Sequence, residues 1–270
     1  MKKTTKILIG SFAGILLLIM GFMAYLTRYT TDFDAYSPSM ADANLVARPL
    51  PAGIEHFRWE FDSDFYSYAA QPAVQLFSSD SVQDGGTLHL PRELEPYVET
   101  KQIGNTLVFH LCRPENLSEE HGGLRIAPFP LELIVPNGSL HEISGTKGIT
   151  LQMNRYETSD TLHVFLPDSH LQLADSCTIG KLIVQEVWQL QVYDSRIDTL
   201  SLKADGLHHW NMQSGCIRHA NIFSSRRLRI GRNFAPGCSI DWHPFSDDAS
   251  LELEDLGTPL HIAPIKPEEK

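Results

Sequence analysis

The sequence is short of positive charge. Its 270 residues carry 22 lysines and arginines against 33 aspartates and glutamates, so the formal net charge is −11. A protein that binds nucleic acid through its phosphates needs a basic surface. This charge balance therefore argues against a nucleic-acid partner.

Paired cysteine motifs are also absent. None of the four cysteines is separated from another by two residues, the spacing typical of zinc sites; they are Cys112, Cys177, Cys216 and Cys238. We therefore expect no metal site and no cofactor. Cys216 and Cys238 fall in adjacent copies of the repeat described below. That position leaves two interpretations open, a disulfide or two small apolar core residues.

Helical periodicity is missing after the first 26 residues. No later segment of ten or more residues spaces its apolar side chains three and four apart, which argues against a helical domain. The first 26 residues are different. Residues 7–26 carry no charge and are long enough to cross a bilayer as a helix.

This apolar segment lacks the features of a removable leader. Ala24 has Phe22 two positions before it, so no small-x-small cleavage site is present, and no cysteine follows for lipid attachment. We predict an uncleaved transmembrane signal anchor, with a cleaved signal peptide as the alternative. Lys2, Lys3 and Lys6 precede the run, so the positive-inside rule places the N-terminus in the cytoplasm and the C-terminal domain outside it.

A short phrase of two apolar residues around one mostly polar residue returns through the second half of the chain. Its first residues are 19, 20, 18, 20, 20 and 20 positions apart. The copies are Ile143-Ser144-Gly145, Leu162-His163-Val164, Leu182-Ile183-Val184, Leu200-Ser201-Leu202, Ala220-Asn221-Ile222, Ile240-Asp241-Trp242 and Leu260-His261-Ile262. A second phrase lies between them: Ile149-Thr150-Leu151, Leu171-Gln172-Leu173, Leu190-Gln191-Val192, Trp210-Asn211-Met212, Leu228-Arg229-Ile230 and Leu251-Glu252-Leu253.

The repeat predicts the fold class. Alternation of apolar and polar residues is the period of a strand, and Asp, Ser, Gly, Asn and Pro between the phrases are turn residues. A steady return of about 20 residues is typical of a solenoid. We predict an all-β, single-stranded parallel β-helix with two short strands per rung, preceded by one transmembrane helix. An antiparallel β-sandwich is the alternative.

The same patterns divide the chain. We expect a basic tip at residues 1–6, the anchor at 7–26, a tether rich in polar residues and proline at 27–53, the β-solenoid at 54–262 and a disordered tail at 263–270. Before the repeat, shorter strand-like segments lie at 57–61, 73–77, 87–90, 106–111 and 131–135.

Several of these residues resemble a known family. The runs Glu93-Leu94-Glu95-Pro96-Tyr97-Val98-Glu99-Thr100-Lys101 and Gly104-Asn105-Thr106-Leu107-Val108 are similar to the entry hairpin of the auto-transporter adhesin head (GIN) domains. Val135-Pro136, Ser139-Leu140, Ile143-Ser144-Gly145 and Ile149-Thr150-Leu151 resemble the first rung of that family.

The resemblance spans residues 60–262. It implies a right-handed parallel β-helix exported by a Bacteroidota-type bacterium, in a family with no established activity. With the predicted anchor, it implies a single-pass protein of the bacterial inner membrane whose C-terminal domain is periplasmic. The later repeats depart from the family in carrying more Trp, His and Arg than the Gly-, Ser- and Asp-rich rungs expected.

Outward positions of the second phrase supply a candidate binding surface. We single out His209, Asn211, Arg227 and Arg229, whose imidazole, amide and guanidinium groups suit sugar hydroxyls or carboxylates. These residues predict a non-catalytic binding, adhesion or structural module of the cell envelope, with an acidic glycan or an envelope protein as partner. The alternative is a face that is merely solvated.

A polysaccharide lyase or hydrolase is the competing function. Such an enzyme needs paired carboxylates in a groove. Asp241, Asp247 and Asp248 cluster near His243, but Pro244 beside them indicates an ordinary turn. We therefore predict no catalytic residues. The three tryptophans of the repeat, Trp188, Trp210 and Trp242, are expected to face the core.

Overall fold

The computed structural model of the protein describes residues 3–30, 44–61, 73–82, 85–112, 130–146, 148–213, 215–230, 239–253 and 261–264. In these residues one long α-helix is followed by β-strands and one short 3₁₀ helix. Cys238 lies outside these residues.

The N-terminal helix α1 spans Lys3–Thr30. Within the described part of the chain, no helix combines the length and the apolar character that a membrane crossing requires. The prediction of a transmembrane anchor at residues 7–26 is therefore wrong, and so is the single-pass inner-membrane location inferred from it.

Within the described residues, twenty strands follow the helix. They are β1 Leu45–Pro49, β2 His56–Phe61, β3 Ala73–Ser78, β4 Thr87–Pro91, β5 Val98–Ile103, β6 Thr106–Leu111, β7 Pro130–Val135, β8 Glu142–Gly145, β9 Thr150–Asn154, β10 Glu157–Phe165, β11 His170–Ala174, β12 Thr178–Gln185, β13 Gln189–Val192, β14 Arg196–Lys203, β15 His209–Met212, β16 Ile217–Ser224, β17 Leu228–Ile230, β18 Ser239–Pro244, β19 Leu251–Leu253 and β20 His261–Pro264. A 3₁₀ helix at Arg92–Tyr97 joins β4 to β5.

The strands form two large sheets and one small sheet. The eight-stranded sheet has the order β1-β4-β7-β3-β9-β11-β13-β15, and the ten-stranded sheet has the order β20-β18-β16-β14-β12-β10-β8-β2-β6-β5. Strands β17 and β19 pair separately. Both large sheets are mixed, because β1-β4, β4-β7 and β5-β6 are antiparallel pairs.

This topology corrects the predicted fold class. In a single-stranded parallel β-helix every rung would lie beside the next rung in sequence. Here β2 lies between β8 and β6, and β3 lies between β7 and β9. The prediction was wrong because the repeat occupies only the later strands, whereas the earlier strands pair across long stretches of chain.

Residues 142–264, the C-terminal region, pair in parallel and in sequence order within each large sheet. The first phrase stands in register from Leu162 to Leu182, Leu200, Ala220 and Ile240. At the first and last copies of the phrase, the strand pairing is shifted by two residues relative to the sequence repeat. Ile143 lies opposite Val164, and Ile262 lies opposite Ile240. The second phrase is shifted likewise at its start, where Leu151 lies opposite Leu171.

The core lies between the two large sheets. Leu182, Val184, Leu200 and Leu202 are fully buried, as the alternation predicts, whereas Ser201 is partly exposed. Residues 45–135, the N-terminal region, contribute a buried aromatic cluster. In this cluster Trp59 stacks on Phe109 with ring centroids 4.4 Å apart, and Phe57 meets Phe109 edge to face at 5.3 Å. Such ring pairs add to the stabilisation that burial alone supplies.

Candidate functional site

On the outer face of the eight-stranded sheet, a row of amide side chains crosses five adjacent strands. We call this set the amide ladder; its members are Gln75, Gln152, Gln172, Gln191 and Asn211. The five residues are successive register partners across β3, β9, β11, β13 and β15. Neighbouring strands are about 4.8 Å apart, so the ladder extends for about 19 Å.

Alternation along each strand turns the ladder outward. The residues on either side of Gln172 are Leu171 and Leu173, and both are fully buried. Because successive side chains of a strand point to opposite faces, the amide between two core residues must face away from the core. Val74 and Leu76 place Gln75 outward in the same way.

The ladder ends in a contact between an imidazole and a carboxylate on the side of the N-terminal region. Glu132 on β7 is the register partner of Gln75, and His89 on β4 is the partner of Glu132. The His89 Nδ1 lies 3.7 Å from the Glu132 Oε2. The outer face is therefore acidic at this end and uncharged along the five amides.

A second column runs beside the ladder. Thr150, His170, Gln189 and His209 are register partners two residues before the ladder positions. Burial lowers the pKa of His170 from its usual value, and the electrostatic interaction with the His209 imidazole lowers it further. The column therefore favours a neutral imidazole at His170.

An aromatic edge borders this second column. The Trp188 indole stacks on the His208 imidazole with ring centroids 3.8 Å apart and an interplanar angle of 22°, and its centroid lies 6.2 Å from that of His209. The Trp188 carbonyl accepts hydrogen bonds from the backbone N–H groups of His208 and His209. Trp188 is 38% exposed, so it does not face the core as predicted, whereas Trp210 and Trp242 pack partly buried against the core.

The predicted binding residues divide between two sheets. His209 and Asn211 belong to β15, at the end of the eight-stranded sheet, where the Asn211 amide donates to the Tyr193 hydroxyl at 3.2 Å. Arg227 lies directly before β17, which belongs to the separate small sheet. Its guanidinium forms an ion pair with Glu252. Arg229 is the register partner of Glu252 on β19.

Sequence reasoning identified only part of the amide ladder. The phrase predicted at β9, Ile149-Thr150-Leu151, has Thr150 at its centre. The residue that aligns with Gln172 is Gln152, two positions later, and the prediction did not include it. Gln75 lies in the N-terminal region, outside the repeat, and only the pairing of β3 with β9 brings it into line. The recurring Gln at the centre of Leu171-Gln172-Leu173 and Leu190-Gln191-Val192 was the available signal.

A second cluster lies on the outer face of the ten-stranded sheet. His219 on β16 is the register partner of Ser239 on β18. The His219 Nδ1 is 2.5 Å from the Ser239 Oγ, and its Nε2 is 3.4 Å from an Asp241 carboxylate oxygen. Hydroxyl, imidazole and carboxylate in this order are the components of a nucleophilic triad.

The acidic cluster considered from the sequence is resolved into separate contacts. Asp241 faces His219, whereas the His243 ring stacks on Phe223 with centroids 4.3 Å apart. Asp248 lies in a turn, where its backbone N–H donates to the Ser246 hydroxyl.

Comparison with known proteins gives distant matches only. No family model matches the chain, and no curated protein matches it. The GIN-domain membership implied by the sequence resemblance is therefore not confirmed.

Three solved structures show a distant likeness. A "putative adhesin" from Bacteroides fragilis has a TM-score of 0.43 at 13% identity, over 85% of this chain and 100% of that one. A "putative lipid binding protein" from Parabacteroides distasonis has a TM-score of 0.30 at 11% identity, and a "putative adhesin" from Parabacteroides merdae has 0.29 at 9%. Each of these two covers 86% of this chain and 100% of its own. At these TM-scores the likeness carries no conclusion about fold or function.

Proposed function

We propose that the protein is a non-catalytic binding module and that the outer face of its eight-stranded sheet binds an extended, hydroxyl-rich glycan. The observation that carries this proposal is the amide ladder, with one amide on each of five adjacent strands. A face that was only exposed to solvent would need polar side chains, but these would not need to be amides at every one of the five positions.

Amides suit a hydroxyl-rich ligand. Each Gln or Asn side chain offers a carbonyl acceptor and an NH₂ group with two donors, so it can pair with a hydroxyl in either role. The strand spacing of about 4.8 Å repeats this offer at an interval comparable with the length of one sugar unit in an extended chain. A long polymer could therefore meet the same group on each strand.

Trp188 supplies an apolar contact at the border of the face. Its stacking on His208 fixes the indole, and its exposed part remains available to a ligand. A rigid aromatic side chain adds contact area at a low cost in conformational entropy. This edge favours a ligand with apolar C–H faces as well as hydroxyls, which is the surface that a sugar ring presents.

The charge of the site favours a neutral ligand over an acidic one. The five amides carry no charge, Glu132 extends the row with a carboxylate, and Arg227 is already paired with Glu252. Binding of an acidic glycan by Arg227 and Arg229 stays a prediction. The salt dependence of binding distinguishes an acidic ligand held by arginines from a neutral ligand held by amides. Binding through exposed charges weakens as ionic strength rises, whereas binding through amides changes little.

The test is a glycan array that carries neutral and acidic polysaccharides. We expect retention on neutral glycans at low and high salt, and loss of retention when Gln172 and Gln191 are both replaced by Ala. The Arg227→Ser variant serves as the control and should bind as the wild type does. Retention on acidic glycans only, abolished by Arg227→Ser, would favour the polyanion prediction. No retention on any glycan would contradict the proposal.

Ester hydrolysis is a second candidate function, favoured by the contacts of Ser239, His219 and Asp241. The His219 imidazole would accept the Ser239 proton as the hydroxyl attacks an ester carbonyl, with Asp241 stabilising the imidazolium. The proton would then pass to the alcohol as its bond to the acyl carbon breaks, and water would hydrolyse the acyl-serine to release the acid and regenerate Ser239. The amide of Asn221, the register partner of Asp241, is a candidate donor to the oxyanion. Turnover of a chromogenic acetate ester that disappears in Ser239→Ala would support this function. Equal rates in both proteins would rule it out.

A further inference from the structure

The hairpin β5-β6 at one edge of the ten-stranded sheet brings together three side chains of different chemistry. Glu99 on β5 and His110 on β6 are register partners across the antiparallel pair, and Cys112 comes two residues after His110. The Cys112 Sγ lies 3.3 Å from the His110 Nδ1. One ligand atom from each of the three residues lies within 4.8 Å of the other two.

We infer that Glu99, His110 and Cys112 form a binding site for a divalent metal ion of the zinc type. The three residues offer one carboxylate oxygen, one imidazole nitrogen and one thiolate sulfur, which are the ligand atoms that zinc takes in proteins. Three protein ligands leave the fourth tetrahedral position to water.

The separation of the sulfur and nitrogen atoms suits such an ion. With Zn–S and Zn–N distances of about 2.3 and 2.0–2.1 Å, tetrahedral geometry places the two ligand atoms about 3.5 Å apart. The observed 3.3 Å is close to that value, so these two ligands need little rearrangement. The Glu99 side chain is exposed at the surface.

The backbone holds the two half-buried ligands in place. Pairing with both β2 and β5 fixes β6 on its two sides. The backbone N–H of Cys112 also donates to the Tyr97 carbonyl at 3.0 Å. A site positioned by paired strands is more sharply defined than one carried by a loop, and preorganised ligands lose less entropy when the ion binds.

The sequence could not indicate this site. The sequence pattern that indicates zinc is a closely spaced pair of cysteines. Glu99, His110 and Cys112 include a single cysteine, with the histidine two positions before it. Glu99 is 11 positions from His110 in the chain, and only the hairpin register places them opposite each other.

Titration of the reduced full-length protein with Zn²⁺ and with Co²⁺ tests the inference. We expect one equivalent of Zn²⁺ to bind and to raise the melting temperature, because an ion that binds only the folded state stabilises it. Co²⁺ should give a thiolate-to-metal charge-transfer band that Zn²⁺ displaces. Cys112→Ser should abolish the band, and His110→Ala and Glu99→Gln should each weaken Zn²⁺ binding by about tenfold or more.

Glu60→Gln is the matched control. Glu60 is the register partner of His110 on the opposite side, but its carboxylate is paired with Arg58 at 2.9 Å and is not one of the three ligands. This variant should bind Zn²⁺ as the wild type does. The inference is overturned if the wild type gives no cobalt–thiolate band, if the band survives in Cys112→Ser, or if Glu60→Gln weakens binding as much as Glu99→Gln does.

Discussion

The N-terminal and C-terminal regions build the same two sheets in different ways. In the C-terminal region each strand pairs with a strand about 20 residues away, as from Leu182 to Leu200, and the pairs are parallel. In the N-terminal region Phe57 pairs with Leu107 and also with Ile143, and antiparallel pairs are mixed with parallel ones. The first arrangement is periodic in sequence and the second is not.

The difference shows which kind of pairing a sequence reveals. A fixed period fixes both the strand and its partner, because the same apolar positions must meet in every copy. Without a period, alternation still identifies a strand but leaves its partner open. The two regions nevertheless share one core, since β2 pairs with β8 and β3 with β9.

A charge placed in the core of the C-terminal region should have the largest effect. Leu202 is fully buried, and Leu202→Asp would leave a charge without a partner among aliphatic side chains. We expect a loss of more than about 4 kcal/mol in the free energy of unfolding, measured by denaturant titration. Ser201→Asp, one position away and outward, should change this free energy by about 0.5 kcal/mol or less. Equal losses in the two variants would show that the alternation is misassigned.

Truncation of an aromatic residue tests whether the regions unfold together. Phe109 is fully buried in the N-terminal region between Phe57 and Trp59. Phe109→Ala should cost about 3–5 kcal/mol. Because the sheets run through both regions, we expect one cooperative transition by fluorescence and circular dichroism alike. Two separated transitions would show that the regions are independent folding units.

Loss of a turn contact within the C-terminal region should cost less. The Asp205 carboxylate accepts hydrogen bonds from the Ser225 backbone N–H at 2.7 Å and from the hydroxyls of Ser225 and Ser224. Burial raises the pKa of Asp205, but these hydrogen bonds and the Lys203 charge outweigh burial, so its pKa lies below the usual value. Asp205→Ala should lower the free energy of unfolding by about 1–2 kcal/mol.

The pH dependence of that loss supplies a control. A depressed carboxyl pKa stabilises the fold above the usual pKa, and this contribution disappears as the pH falls through the folded-state value. The difference between the wild type and Asp205→Ala should therefore shrink on acidification from neutral pH to about pH 3. A difference that stays constant over that range would assign the loss to packing alone.

The smallest expected effect comes from His170 on the outer face. Its folded-state pKa is lowered, so the unfolded chain binds the proton more readily and stability falls as the pH drops below the usual value of 6.5. In His170→Gln this decline between pH 7 and pH 5 should be reduced, as measured by melting temperature. An unchanged decline would show that other groups dominate the pH response.

Much of the strand content could be predicted, but its assembly could not. Alternation identified the strand around Trp59 and the buried positions Leu200 and Leu202. It could not indicate that β2 would lie between β6 and β8, since nothing in the sequence links Phe57 to Ile143. The predicted transmembrane role of residues 7–26 and the parallel β-helix were wrong.

The residues of the candidate site could be predicted in the periodic region but not in the irregular one. His209 and Asn211 were identified because they belong to the repeat, and the structure keeps them on alternate positions of β15, with Trp210 between them. Gln75 and Glu132 could not be added, because they reach the same face through the pairing of β3 with β7 and β9. The site therefore depends on both the periodic region and the irregular one.

The most direct test of this account compares three Gln→Ala variants for binding to a neutral polysaccharide identified on the array. Gln75 belongs to the N-terminal region, Gln172 to the C-terminal region, and Gln185 is exposed on the ten-stranded sheet. If the two regions form one binding face, Gln75→Ala and Gln172→Ala should both weaken binding in an isothermal titration, and Gln185→Ala should leave it unchanged. Equal binding by all three variants, or equal weakening in all three, would contradict the account.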